Sequence, residues 1–346
     1  MTITARRQQK KKAQPAAQRP HDELVLRQIF AAICYFDLFQ KPLTSFEVWQ
    51  NLLQRDQLMH PHPRPHDFFE VQRGLRDLVA QKKISFRDGF YFLNGRDELV
   101  NGRHEKYIIG KKKWDRAVFA ARAFRFIPFV RMVAVCNTLA IDAAKESSDI
   151  DLLIIIKEKR IWTARLLITV VAHVLRIRRH GQKIAGRICL SFYMTHKHLD
   201  LSRIAIQPFD IYLVYYVTQV VVLYEHLGTK EKFFHANAWV REYLPQFEPF
   251  EIALPRRVID SGVSRAARNF FERLLRGVCG HWLEKFVKNV QLRRMVGRSV
   301  GRVDPVVDPA PSQAVIISDT MLKFHEQDRR QFFLQEFYKR FNAWKP

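Results

Sequence analysis

The chain has 346 residues, 47% of them hydrophobic and 12% aromatic, enough apolar side chain to exclude a chain too polar to bury a core. Lys and Arg number 58 against 34 Asp and Glu, a formal charge of +24 that directs attention to anionic partners: nucleic acid, nucleotide or an acidic membrane surface. The four cysteines (Cys34, Cys136, Cys189, Cys279) show no ligand spacing, which argues against a disulfide frame or zinc site and for reduced thiols in a cytoplasmic protein. The most apolar runs, 166–175 and 211–223, fall short of the ~20 residues a membrane span needs and read as buried helix or strand.

In chain order, residues 1–20 are a basic tail (Arg6, Arg7, Lys10, Lys11, Lys12) with nothing to bury, expected to be disordered and read either as a nucleic-acid arm or as a solubilising tail. Residues 21–95 read as one module. Leu24, Leu26, Ile29, Phe30, Ile33 and Phe36 fall at helical spacing. Thr44 and Glu47 form a T-x-x-E capping box before a short second helix. A proline-rich loop follows, whose His60, His62 and His66 read as loop polar groups rather than metal ligands. A third helix is predicted over 68–83, then two alternating strands joined at Asp88 and Gly89. This order resembles a winged helix. The resemblance implies that 68–83 is a recognition helix offering Arg73, Arg76, Lys82 and Lys83 to phosphates, with Arg87 on the wing. Packing against protein alone is the other reading of such a module. Residues 96–128 read as a connecting helix.

The chemistry concentrates in 129–203. Residues 132–135 suit a buried strand, and residues 148–156 read S-D-I-D followed by a wholly apolar run. Successive strand side chains alternate between faces, so Asp149 and Asp151 project together. Two adjacent carboxylates repel unless a cation lies between them, and Mg²⁺ held by one or two carboxylates plus substrate phosphates suits such a pair.

The N-T-L-A at 137–140 followed by S-D-I-D at 148–151 resembles the G-S-x-A…S-D-I-D signature of the nucleotidyltransferase (polymerase beta-like) family. The resemblance implies an α+β fold with a small mixed β-sheet core. It also implies Mg²⁺- or Mn²⁺-dependent transfer of a nucleoside monophosphate from an NTP to an acceptor. Asp149 and Asp151 would be the catalytic metal ligands, with Asn137, Thr138 and Ser148 at the nucleotide phosphates. Asn137 and Thr138 depart from the family's Gly-Ser, so a side chain stands where the family leaves room for phosphate. The family's third acid is also missing: the expected strand, 188–195, holds none, and Ser191 occupies its middle. Asp200 and Asp210 are the candidates to replace it, with Glu225 behind them.

The basic run at 176–180 is read either as a charged helix end or as a phosphate-neutralising patch. Residues 204–303 are predicted to be a helical acceptor or packing module. Its first part, 204–243, reads as long apolar helices and 255–303 as basic ones. Residues 304–346 read as a linker and a terminal helix. Two functions stay open: a nucleotidyltransferase, and a nucleic-acid-binding regulator or nucleotide sensor with a weakened transferase domain.

Overall fold

The computed structural model describes residues 20–54, 64–296, 315–324 and 328–344. Nearly all of the basic tail, His60, His62 and the linker at 304–311 lie outside the described residues.

The N-terminal part consists of α1 (Pro20–Asp37), α2 (Ser45–Gln50), α3 (Phe68–Ala80) and a hairpin of β1 (Ile84–Arg87) and β2 (Phe90–Leu93). The capping box forms as read: Glu47 N donates to Thr44 Oγ1 at 3.2 Å, and Thr44 N donates to the Glu47 carboxylate at 2.9 Å. The hairpin reverses at Asp88 (φ 51°) and Gly89 (φ 83°), consecutive left-handed residues that match the twist of the strands. Gly74 lets α3 lie close to α1, since a Cβ there would meet Ile29 Cδ1 at 2.6 Å.

A long helix, α4 (Glu98–Phe124), leads into the central elements β3 (Val130–Val135), α5 (Asn137–Ala140), β4 (Ile150–Ile156), α6 (Ile161–Val174) and β5 (Ile188–Thr195). After them come α7 (Ile211–Thr218), β6 (Val221–Glu225), α8 (Thr229–Ala236), α9 (Gly262–Leu274) and α10 (Val278–Val296). The chain ends with β7 (Val315–Ile317), β8 (Met321–Phe324) and α11 (Arg330–Phe341).

The protein is therefore mixed α and β, with a six-stranded sheet ordered β6-β3-β4-β5-β8-β7. Strands β4 and β5 are parallel, joined through α6, and every other neighbouring pair is antiparallel. The helical reading of 204–243 is corrected at Val221–Glu225, which is a strand beside β3. Its V-V-L-Y run is buried on both faces, so it shows none of the alternation that marks a strand in sequence. The β7–β8 hairpin, inside the segment read as linker and terminal helix, extends the sheet beyond β5.

Alternation sorts the sheet's side chains onto two faces. Met132, Ala134, Leu153, Ile155, Phe192 and Met194 join one core with α1, α7 and α11. Val133, Val135, Leu152, Ile154 and Tyr193 join the other with α4 and α6. Each fully buried Leu, Ile or Val here is worth roughly 1.5–3 kcal/mol over an exposed one. That double burial holds β4 rigid behind its acidic start.

Candidate functional site

Asp149 immediately precedes β4 and Asp151 is its second residue, while Ile150 between them is fully buried on the opposite face. The acids thus lie on the sheet face covered by α7 and α11. They open into a cleft of about 920 Å³ that Asn137, Thr138 and Ser148 also line. All five residues singled out in the sequence come together there.

Each is held by identifiable contacts. Asn137 follows β3 in a left-handed conformation (φ 58°), which asparagine tolerates better than other residues with a Cβ. Its Nδ2 donates to Asp151 Oδ2 at 3.0 Å, and its Oδ1 accepts from the Tyr212 hydroxyl at 2.8 Å. The side chain that replaces the family's glycine therefore bridges the acid to α7. Thr138 accepts Ala143 N at its carbonyl (2.8 Å), closing the turn after α5. Ser148 Oγ accepts Lys145 N at 3.0 Å. Beneath this loop the Lys113 ammonium, buried on α4, donates to the carbonyls of Glu146 and Ser148 and fixes the approach to β4.

Arg179 Nη1 donates to Asp149 Oδ2 at 2.6 Å. It can do so because residues 178–179 leave α6 and run beside the start of β5, Arg179 N donating to Ile188 O at 2.9 Å. Burial, reinforced by the Asp149 charge, raises the Asp151 carboxyl from 3.8 to about 6 against the opposing pull of Asn137, Cys189 and Arg179.

The third member of the cluster is neither Asp200 nor Asp210. Asp210 caps α7, accepting Leu213 N at 2.8 Å and Ile206 N at 3.0 Å, and pairs with Arg330 at 2.8 Å. Asp200 accepts Ser202 N at 2.9 Å on an exposed turn, and Glu225 accepts Thr229 N at 3.1 Å. The neighbour of the pair is Cys189, which stands opposite Asp151 in the parallel β4–β5 register. Ligand atoms of Asp149, Asp151 and Cys189 all lie within 4.8 Å of one another, the one such grouping among the described residues. Burial pushes the Cys189 thiol up to about 12, so it stays protonated and hydrogen-bonds to Asp151. Two carboxylates fit a hard divalent cation such as Mg²⁺ or Mn²⁺, whereas a protonated thiol adds no ligand for it.

The rest of the cleft is basic and aromatic. Arg165, Arg178, Arg179, Lys323, Arg329 and Arg330 line it. Arg178 and Arg179 belong to the 176–180 run, and Arg329 and Arg330 to the terminal helix region, so the fold gathers charges from distant segments. Lys323 on β8 escaped sequence reasoning altogether; burial lowers its ammonium to about 8. The Tyr212 hydroxyl on α7 positions Asn137. Phe333 stacks with both Phe39 and Tyr212, with centroids 5.2 and 5.1 Å away, and the Arg329 guanidinium lies 5.5 Å from its ring centre. His66, read as a loop polar group, is buried and pairs with Glu70 at 3.0 Å.

No protein-family model matches the chain, and no curated protein or solved structure matches it either.

Proposed function

We propose that the cleft binds a nucleoside triphosphate with a divalent cation and that the chain is a nucleotidyltransferase. The observation that carries this reading is two carboxylates, Asp149 and Asp151, at the rigid start of a central strand within a cleft lined by arginines. The resemblance of 137–151 to the nucleotidyltransferase signature supports it. Asp149 and Asp151 would hold Mg²⁺ or Mn²⁺, which when bound offsets phosphate charge. Arg178, Lys323 and Arg329 supply positive charge to phosphate oxygens, a form of fixed electrostatic stabilisation. Thr138 and Ser148 offer hydroxyls on the side of the acids. Arg179, now on Asp149, is placed to exchange that carboxylate for a phosphate.

The test pairs melting temperature with label transfer. Mg²⁺ or Mn²⁺ together with an NTP is expected to stabilise the wild type by about 2.7 kcal/mol at a hundredfold excess over Kd. Asp149→Asn and Asp151→Asn should lose that response. Wild type and both variants responding identically would remove the pair as a metal site. Labelled NTP transferring its monophosphate to the protein or to a lysate component supports the enzyme; stabilisation without transfer supports a sensor.

A second reading, a nucleic-acid-binding regulator, draws on a specific feature: Asn137 and Arg179 already satisfy both acids. The order of three helices and a hairpin resembles a winged helix, and Arg73 and Arg76 are exposed on α3. If α3 contacts phosphates, affinity falls steeply with salt, and Arg73→Ala with Arg76→Ala flattens that slope by about 2.

A further inference from the structure

Helix α10 is apolar on two opposite sides. Its inner side buries Val287 and Gln291 and places Glu284 on the start of α6, where the carboxylate accepts Trp162 N and Thr163 N, both at 2.9 Å. Its outer side carries Val278, Trp282 and Phe286 at i, i+4 and i+8, exposed to 86%, 67% and 52%. The Trp282 and Phe286 rings stack on each other, centroids 5.5 Å apart and planes 4° apart, forming one continuous apolar ridge. Phe270 and Leu274, both exposed at the end of α9, lead into it. An apolar ridge of this kind on a water-facing helix marks a surface that something covers.

The charge around the ridge says what. Between residues 262 and 296 the sequence holds just two acids, Glu272 and Glu284. Both point inward: Glu272 pairs with Arg131 at 2.8 Å, and Glu284 is buried on α6. Arg265, Arg273, Lys285 and Arg293 are exposed on the same two helices, and Arg276 is exposed on the turn between them. The outward-facing residues of α9 and α10 themselves therefore include no acid, and the exposed Asp319 beside α10 is paired with Lys288 at 2.7 Å.

We infer that the outer ridge of α10, with the end of α9, binds an anionic membrane surface, Trp282 and Phe286 entering the headgroup–acyl boundary while the arginines and lysines meet lipid phosphates. Exposed Trp and Phe on a helix whose exposed charges are all Lys and Arg is the composition of an interfacial helix. A second copy of the chain fits poorly, because a two-fold contact would bring two surfaces together that both carry Arg276, Lys285 and Arg293. RNA fits less well, because Leu274 and Val278 have no ring to stack and Trp282 and Phe286 already cover one face of each other. The ridge lies on the side of the sheet away from Asp149 and Asp151, since α10 packs with the Val133, Leu152 and Ile154 face. Membrane binding thus leaves the cleft open, and the inference stands whichever function the cleft has.

The test is flotation of the full-length protein with phosphatidylcholine vesicles, with and without phosphatidylserine. Binding is expected with phosphatidylserine and should weaken as salt rises. The charge-neutral pair Trp282→Ser and Phe286→Ser should lower affinity more than about tenfold, given the area two aromatic rings bury. Arg276→Ser with Lys285→Ser should lower it in the phosphatidylserine vesicles alone. All four positions are exposed, so the melting temperature should stay unchanged and separate lost binding from lost folding. Three results would each overturn the inference: no flotation at low salt, flotation unaffected by the aromatic pair, or self-association in solution that the aromatic pair abolishes.

Discussion

Asp151 is pulled in two directions. Burial and the neighbouring Asp149 raise its carboxyl to about 6, whereas Asn137, Cys189 and Arg179 pull it down. Its folded value lies above its unfolded value of 3.8, so folding favours the protonated form. The associated stability is fully present below pH 3.8 and is lost as pH rises through about 6. Asp151→Asn removes the cost of the buried charge. Without cations the variant should be about 1–3 kcal/mol more stable than the wild type above pH 6, with the difference vanishing near pH 4. Denaturant titrations across that range check it, and a variant less stable at neutral pH would contradict the assigned burial. Asn137 gives the companion case. Its φ of 58° suits glycine and strains alanine, so Asn137→Ala should cost more stability than Asn137→Gly by roughly 1 kcal/mol. Asn137→Gly also clears the side chain from the cleft, so nucleotide should bind it more tightly than it binds wild type if the asparagine obstructs phosphate. Calorimetric titration with an NTP measures that directly.

Glu47 shows how one element is held. Besides completing the capping box of α2, its carboxylate pairs with Lys41 at 2.8 Å and Arg103 at 2.7 Å, tying α2 to α4. Burial pushes the carboxyl up, but the two cations override it and hold it at about 2, below its unfolded 4.5. The depressed value means this stability is present above pH 4.5 and is lost as pH falls towards 2. Glu47→Gln strands the buried Lys41 ammonium and should cost on the order of 2–4 kcal/mol at neutral pH. The variant should also lack the wild-type loss between pH 4.5 and 2 that the carboxylate produces, which acid titration of both proteins would reveal. The capping box, the Asp88–Gly89 hairpin and the Asp149–Asp151 strand were legible in the sequence because each is a local pattern with its own physics. Strand β6 was not, being apolar on both faces. Cys189 could not be placed beside Asp151 without the parallel register, and Lys323 reaches the cleft only because β8 pairs with β5 across more than a hundred residues. Short-range periodicity carries no information about such pairings.

At the scale of the molecule, the N-terminal helices and the central sheet share one hydrophobic core, Leu26, Ile29 and Leu75 belonging to the same cluster as Met132, Leu153 and Phe192. Polar contacts stitch the same boundary. Tyr35 stacks on Tyr215 at 3.9 Å, and the Tyr215 hydroxyl donates to Asn51 O at 2.8 Å. Gln54 Nε2 donates to Gln246 Oε1 at 2.9 Å. Asp37, almost fully buried, receives Arg340 from α11 at 2.9 Å and Arg96 at 3.0 Å. Removing the N-terminal helices would uncover one face of the sheet, so they should not behave as an appended, independently melting unit. The expectation is one calorimetric transition whose van't Hoff and calorimetric enthalpies agree, although the chain exceeds the size at which two-state unfolding is the rule. Tyr35→Ala, a fully buried aromatic lost from the boundary, should shift the whole transition by about 3–5 kcal/mol rather than split off a shoulder. Two resolved transitions in the wild type, with Tyr35→Ala moving only the earlier, would show that the boundary transmits little. Because Phe39 and Phe333 of the same boundary stack towards Tyr212, and Tyr212 holds Asn137 on Asp151, a ligand in the cleft should raise the melting of the N-terminal helices along with that of the sheet. Hydrogen exchange in α1 and α3, with and without cation and nucleotide, reads that coupling residue by residue.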